Sequence, residues 1–147
     1  MLIIVSAISL IVAAQQKATN DSDIALIKNI IQTAYVEGLQ NEGDTVKINS
    51  GFHPGFEMLM TTKEGELKKY SLTLWKEKIK ENLVSGQLPR KKEDRVSIKF
   101  VFVDVTANAA VAKFEFYVGK KLTFIDYQCL YKFQDGWKIV SKIFAKV

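Results

Sequence analysis

Four apolar runs of strand length follow one another in the C-terminal half of the chain, and they constrain the fold more than any other feature. They span residues 95–105, 109–118, 121–133 and 137–145 and are separated by breaks of two or three residues. Asp135-Gly136 in the last break supplies the turn residues of a hairpin. Because such short connections join antiparallel neighbours, the sequence predicts an antiparallel meander.

The N-terminal half predicts helices before that sheet. Polar residues 20–23 suit a helix N-terminus, and the apolar residues behind them recur at helical spacing until the glycine- and asparagine-containing stretch 38–43 ends the helix. A hairpin is predicted at 56–61 and 66–70, and Ser71 is predicted to cap a second helix. Pro54 disfavours helix at His53 and places that residue on a bend. The apolar helical positions are Ile24, Ile27, Ile30, Ile31, Ala34 and Tyr35 in the first helix, and Leu72, Trp75, Ile79 and Leu83 in the second. The predicted fold class is α+β in one domain.

The predicted sheet has apolar residues on both faces. In strand 109–118, Ala112, Phe114 and Phe116 share one face, while the neighbouring strands contain apolar runs without alternation. A sheet of this kind is covered on both sides. Helices cover one side, and the simplest cover for the other is a second subunit, so we expect a homodimer through the sheet.

The first residues resemble an export signal. Residues 2–12 are apolar but too few to span a bilayer, and small residues precede Gln15 where a signal peptidase would cut. We expect residues 1–14 to be a signal peptide, residues 15–147 to be the mature domain, and the protein to be periplasmic or extracellular without a stable membrane anchor. An uncleaved N-terminal helix is the alternative. Cys129 has no partner for a disulfide and is expected to be a small buried residue.

Charge and histidine content narrow the possible functions. The net charge of +5 comes from dispersed lysines and arginines, which does not favour nucleic-acid binding. His53 is the single histidine, which excludes a site with two histidine ligands. No metal and no cofactor are expected.

The order of elements resembles the NTF2-like superfamily, most closely its putative lumazine-binding and SnoaL-like branch. The residues that carry the resemblance extend from Ser22 to Ala145. They are Tyr35-Val-Glu-Gly38 with Gly43-Asp44, Phe52-His53-Pro54, Asp126-Tyr127, Gly136-Trp137-Lys138-Ile139-Val140 and Lys142-Ile143-Phe144. The resemblance implies N-terminal helices packed on a curved, mainly antiparallel sheet that forms a cone around a pocket, with dimers through the sheet. The superfamily contains enzymes as well as proteins without catalysis, so the resemblance does not decide the function.

The residues suggest two functions. The first is an exported binding or accessory domain whose apolar pocket takes a small aromatic or hydrophobic ligand; its candidate wall residues are Tyr35, Phe56, Met58, Met60, Trp75, Phe114 and Phe116, with Lys142 as a possible charge. The second is a small acid–base enzyme of isomerase, cyclase or dehydratase type, in which Asp126, or alternatively Asp44, orients His53. Asp126 shares a strand face with Phe124 and Gln128 while the aromatic Tyr127 lies on the other, and the sequence leaves open which face lines the pocket.

Overall fold

The computed structural model describes the backbone of residues 3–147 and the side chains of residues 14–147. The α-helices are α1 (Ile3–Ile30), α2 (Thr45–Gly51) and α3 (Leu72–Val84); a π-helix, Ile31–Glu42, continues α1, and Lys92–Asp94 form a short 3₁₀ turn. The strands are β1 (Phe52–Thr61), β2 (Leu67–Ser71), β3 (Val96–Thr106), β4 (Ala109–Val118), β5 (Lys121–Phe133) and β6 (Gly136–Lys146).

All six strands form one open sheet in the order β2-β1-β6-β5-β4-β3. The pair β1–β6 is parallel and the other four neighbouring pairs are antiparallel. The meander β3–β6 agrees with the prediction, and β4 and β5 have the predicted bounds. The sequence predicted this part well because each turn is short and each strand is longer than its turn.

The helices pack on one face of the sheet and create the core. Ile27, Ile31 and Tyr35 are fully buried on the helical side, and Phe114 and Ile139 are fully buried on the sheet side. On β4 the predicted face is confirmed, since Ala112, Phe114 and Phe116 are all buried. The opposite face of the sheet carries large exposed apolar side chains; among the described residues these include Val101, Phe102, Tyr131 and Ile143.

The predicted start of the first helix is wrong. The helix already begins at Ile3 and passes through residues 20–23 without a break. Asp23 does not cap it, because its carboxylate accepts hydrogen bonds from Lys132 Nζ (2.8 Å) and Trp137 Nε1 (2.9 Å) of the sheet. The predicted end is confirmed: Gly43 adopts φ +72° after the π-helix, a conformation that glycine allows without strain.

Two further predictions of local structure are corrected near the start of the sheet. Residues 45–51 form α2, which the sequence pattern did not indicate; Asp44 caps it by accepting the backbone N–H groups of Val46 and Lys47. His53 lies in β1 and not on a bend between elements, because the strand begins at Phe52. In the pairing of β1 with β6, Phe52 lies opposite Ile139 and Glu57 lies opposite Ser141, and the register shifts between these two positions, where His53 and Pro54 lie.

The cysteine prediction is also wrong, because Cys129 is exposed on the outer face of β5. The predicted signal peptide, residues 1–14, lies almost wholly outside the residues whose side chains are described. None of the helices in the described part of the chain combines the length and apolar character needed to cross a bilayer.

Candidate functional site

A tyrosine, an aspartate and a lysine meet in the interior between the π-helix and the sheet. Tyr35 Oη donates a hydrogen bond to Asp126 Oδ2 (2.7 Å), and Lys142 Nζ donates one to Tyr35 Oη (2.7 Å). Lys142 Nζ also lies 2.9 Å from Asp126 Oδ2. Tyr35 and Asp126 are completely buried, and Lys142 is 5% exposed. The three side chains form a closed triangle of polar contacts surrounded by apolar packing, which we call the interior triad.

Strand register brings two of these residues onto the same face of the sheet. Asp126 on β5 lies opposite Phe144 on β6, and Gln128, two residues further on β5, lies opposite Lys142. Directly opposed residues in an antiparallel pair point to the same side. Asp126 and Gln128 are buried while Cys129 is exposed, so the face that carries Asp126 is the interior one. This answers the question of parity that the sequence left open.

Burial shifts the protonation equilibria of all three groups. Loss of hydration raises the pKa of Asp126, although Lys142 and the Tyr35 hydroxyl partly oppose it by stabilising the carboxylate. Loss of hydration likewise lowers the pKa of Lys142, against the attraction of Asp126. Burial and the adjacent negative charge of Asp126 raise the pKa of Tyr35 well above its usual value. Each group is thus pushed toward its neutral form, and the charged state of Asp126 and Lys142 depends on their mutual contact.

Next to the triad lies a cavity of about 200 Å³, which we call the interior cavity. Most of its walls are aromatic or aliphatic, and three polar side chains, those of Gln40, Arg90 and Lys142, join them. Its residues are Tyr35, Gln40, Met58, Trp75, Arg90, Phe116, Val118, Phe124, Lys142 and Phe144. An apolar wall with a few convergent polar groups is the usual composition of a small-molecule site.

Lys142 Nζ is surrounded by aromatic rings on the cavity side. It lies 4.8 Å from the ring centre of Phe144, 5.0 Å from that of Tyr35, 5.8 Å from that of Trp75 and 5.9 Å from that of Phe116. Ring faces at such distances attract an ammonium group. A lysine ammonium has three N–H donors, and within the described part of the chain two of them point to the triad partners. One donor therefore has no polar partner among the described residues.

Other polar atoms beside the triad lack a partner. Asp126 Oδ1 and both amide atoms of Gln128 are buried, and no hydrogen-bonding group of the described residues reaches them. Leaving a buried amide unpaired costs free energy. The position of Gln128 is therefore not explained by packing alone.

Arg90 is held in place by the end of the π-helix. Its backbone N–H donates to Asn41 O (2.8 Å), and its Nε donates to Gln40 O (2.8 Å). Arg90 and Val118 line both the interior cavity and a surface depression that also includes Gly86, Gln87, Pro89, Lys91 and Asp94. These two residues therefore stand at the mouth of the cavity.

The structure does not bring His53 to Asp126. His53 lines a separate groove of about 410 Å³ at the start of β1 and β6, with residues that include Lys76, Asp135 and Lys138. Its ring stacks on Phe133 at 4.8 Å between ring centres, and its Nδ1 accepts the backbone N–H of Gly55 (3.0 Å). Asp44, the alternative partner, is engaged as the cap of α2. These contacts match a histidine that stabilises the local chain path.

The predicted wall residues divide into two groups. Tyr35, Met58 and Trp75 line the interior cavity, as does Phe116. Phe56 and Phe114 are core residues packed around these rings, and Met60 packs at the edge of the core. Sequence reasoning missed Gln40 and Arg90. It named Lys142 as a possible charge for the pocket but favoured a surface position, whereas Lys142 lines the cavity and is 5% exposed. Strand pairing places Lys142 between Met58 of β1 and Gln128 of β5, and no local sequence pattern shows this.

No group of three or more histidine, cysteine, aspartate or glutamate side chains that could hold a metal occurs in the described part of the chain. The site is therefore built from one ion pair, one hydroxyl, one guanidinium and aromatic walls.

These features define a class of protein: an α+β fold in which helices and an open, mostly antiparallel sheet enclose an apolar cavity with buried polar groups, as in NTF2-like proteins. The chain belongs to the NTF2-like family described as putative lumazine-binding, whose model matches residues 22–145. A comparison with curated protein sequences returned no match.

Solved structures with the same fold are distant in sequence. An NTF2-like protein of unknown function from Silicibacter pomeroyi DSS-3 has a TM-score of 0.67 at 20% identity, covering 86% of this chain and 98% of the other. An NTF2-like protein from Shewanella baltica OS155, also of unknown function, has a TM-score of 0.62 at 17% identity, covering 82% of this chain and 90% of the other. A protein from Streptomyces avermitilis, described as a putative dehydratase of the NTF2-like family, has a TM-score of 0.58 at 15% identity, covering 86% of this chain and 97% of the other. At these identities the likeness concerns the fold alone.

Proposed function

We propose that this chain is a small-molecule-binding domain whose ligand occupies the interior cavity. The observation that carries the proposal is the remaining N–H donor of Lys142, which lies within a cage of aromatic rings that belong to the cavity wall. A buried ammonium with aromatic walls can orient a planar ligand, because the rings supply stacking area and the N–H group supplies direction.

The size of the cavity limits the ligand. Sites for drug-sized molecules enclose about 300–1,000 Å³, and an apolar protein cavity of about 150 Å³ holds benzene. The interior cavity, at about 200 Å³, fits one aromatic ring with a substituent. The ligand class is therefore a small aromatic molecule, in keeping with the apolar pocket predicted from the sequence.

An acid–base enzyme that uses His53 and Asp126 is the less favoured alternative. The two residues line different cavities, and both polar contacts of Asp126 Oδ2 are made by Tyr35 and Lys142. A reaction that needs His53 and Asp126 at one substrate would require a large rearrangement. Binding requires none.

The two tryptophans allow a direct test by NMR. Trp75 lines the interior cavity, whereas Trp137 is buried elsewhere and donates its indole N–H to Asp23. Because the chain contains two tryptophans, its ¹H–¹⁵N spectrum has two indole cross-peaks. On titration of the full chain with benzamide, benzoate and indole, at least one probe should shift the Trp75 peak with saturation and leave the Trp137 peak in place.

A matched pair of variants on β4 completes this test. Val118→Phe reduces the cavity at its mouth, whereas Val111→Phe makes the same change on the outer face of the same strand. We expect the first variant to abolish the saturable shift and the second to retain it. The binding proposal is overturned if none of the three probes shifts the Trp75 peak, or if Val118→Phe binds like the wild type.

We propose in addition that the protein is a homodimer through the outer face of the sheet and that it is exported. The dimer is supported by Val101, Phe102, Tyr131 and Ile143, which leave apolar area exposed on that face. Export to the periplasm or beyond rests on the sequence of residues 1–14. Expression in a bacterial host, cell fractionation and an intact mass of the recovered protein test it: export predicts a chain beginning at or near Gln15 in the periplasm or medium.

A further inference from the structure

We propose that the ligand of the interior cavity is a small aromatic anion, such as an aromatic carboxylate, whose negative group binds between Lys142 and Arg90. This inference rests on the proposed binding function and adds the charge of the ligand to it. The apolar walls alone do not determine whether the ligand is charged; the cationic side chains do.

The charges that line the cavity carry the argument. Two lining side chains, Lys142 and Arg90, are cationic, and none of the lining residues is acidic. Lys142 is deep in the site, and Arg90 stands at the mouth. A cavity this small keeps any occupant within a few ångströms of both groups. An aromatic hydrocarbon would fill the walls but leave the remaining donor of the buried Lys142 without an acceptor, which is costly, and only an anion would also pair with the charge of Arg90.

The nearest acid, Asp126, balances the charge of Lys142 but not that of Arg90. Asp126 does not line the cavity, and its Oδ2 already faces Lys142 and the Tyr35 hydroxyl. The ion pair Asp126–Lys142 sums to zero, and Arg90 then adds one positive charge at the mouth. The guanidinium of Arg90 uses its Nε for Gln40 O and contacts Asp94 O weakly through one terminal nitrogen (3.5 Å). The remaining N–H groups of the two terminal nitrogens can donate to the paired oxygens of a carboxylate.

The surface around the mouth is also basic. The two depressions next to it contain five cationic and two acidic side chains, those of Arg90, Lys91, Lys92, Arg95 and Lys120 against Glu93 and Asp94. Arg95 is paired with Glu37 of the π-helix, which leaves the rim positive in sum. A cleft rimmed by one sign of charge raises the local concentration of ligands of the opposite sign.

Benzoate and benzamide make a suitable pair of probes, because they have nearly the same shape and differ in charge. We expect benzoate to bind the full chain at least tenfold more tightly than benzamide in low salt, as measured by the saturable shift of the Trp75 indole cross-peak. Arg90→Gln should weaken benzoate binding about tenfold and leave benzamide binding within about twofold. The control is Lys91→Gln, which removes a neighbouring cation that does not line the interior cavity.

The possible results separate this inference from the binding proposal. If benzoate and benzamide bind equally, or if Arg90→Gln and Lys91→Gln weaken benzoate alike, the anionic class is overturned while binding in the cavity stands. If only neutral probes shift the Trp75 peak, the anionic class is likewise overturned. If no probe shifts it, both proposals are overturned.

Discussion

Lys142 is the residue on which the interior site depends. Its ammonium is buried, and it is compensated by Asp126, by the Tyr35 hydroxyl and by aromatic ring faces. Taking two charges out of water is costly, and a buried ion pair recovers that cost only through close, well-directed contacts. The net contribution of such a pair to stability is small, but the loss of one partner is expensive because the other stays buried and charged.

A double-mutant cycle tests this dependence. Lys142→Met retains the volume of the side chain and leaves Asp126 unpaired, so the free energy of unfolding should fall by roughly 3–5 kcal/mol. Adding Asp126→Asn removes the uncompensated charge and should recover much of that loss. Urea denaturation of the wild type, both single variants and the double variant measures the coupling, expected to be about 1–3 kcal/mol. Additive losses would mean that the two side chains do not interact in solution.

At the scale of elements, Asp23 connects the long N-terminal helix to the sheet. Its carboxylate accepts hydrogen bonds from Trp137 on β6 and Lys132 on β5. Burial by itself raises the pKa of Asp23, but these hydrogen bonds and the charge of Lys132 outweigh it and hold the pKa below the ordinary value of 3.8. The contact fixes the helix against the sheet and thereby sets the position of Tyr35, one element further along the chain.

The stability that Asp23 contributes should depend on pH in a defined direction. Because the pKa of Asp23 is lower in the folded state, its contribution is present above pH 3.8 and is lost as the pH falls through the folded-state value. Asp23→Asn should therefore be less stable than the wild type by about 1–2 kcal/mol at pH 7, and the difference should shrink below pH 3.8.

Urea denaturation at a series of pH values measures this difference. Asp21→Asn, two residues away on an exposed part of the same helix, is the control and should show little change at any pH. A deficit of Asp23→Asn that stays constant down to the lowest pH would show that its carboxylate is not charged in the contact.

At the scale of the whole molecule, the outer face of the sheet is not covered by any of the described residues. Its exposed apolar residues lie on three different strands, for example Phe102 on β3, Tyr131 on β5 and Ile143 on β6. Isolated exposed apolar residues are common in proteins, but a face of this extent in the centre of a sheet suits an interface between copies.

A charge placed on that face should disrupt a dimer without changing the fold. We expect the wild type to be a dimer in native mass spectrometry and Ile143→Glu to be a monomer. Val46→Glu introduces the same charge at an exposed apolar position on α2 and should leave the dimer intact. A monomeric wild type, or a dimeric Ile143→Glu, would contradict the predicted homodimer.

The meander β3–β6 was within reach of the sequence, whereas the parallel pairing of β1 with β6 was not. Each strand of the meander is bounded by a short turn, and the interior face of β4 is visible in the alternation of Ala112, Phe114 and Phe116 with charged residues. Candidate N-cap residues predicted helix starts less well. Ser71 does cap α3, whereas Asp23 lies within α1 and hydrogen-bonds to Trp137. A short polar side chain has the same local preference in both cases. The role of Asp23 is decided by its tertiary contact with Trp137, which the local sequence does not show.

The sequence by itself determined the α+β class and the antiparallel meander, because these depend on periodicity and turn chemistry within short stretches of chain. Of the predicted wall residues, Tyr35, Met58, Trp75 and Phe116 line the cavity. Tertiary structure decided which polar groups meet. Tyr35, Asp126 and Lys142 are separated by 91 and 107 residues in their hydrogen-bonded pairs, and no local pattern indicates their contact. Strand parity left Asp126 two possible faces, and packing of the helices on one side of the sheet selected the interior one. Burial then made Lys142 part of the site, because a lysine is rarely buried unless its charge is paired. Here Asp126 pairs with it and aromatic rings surround it.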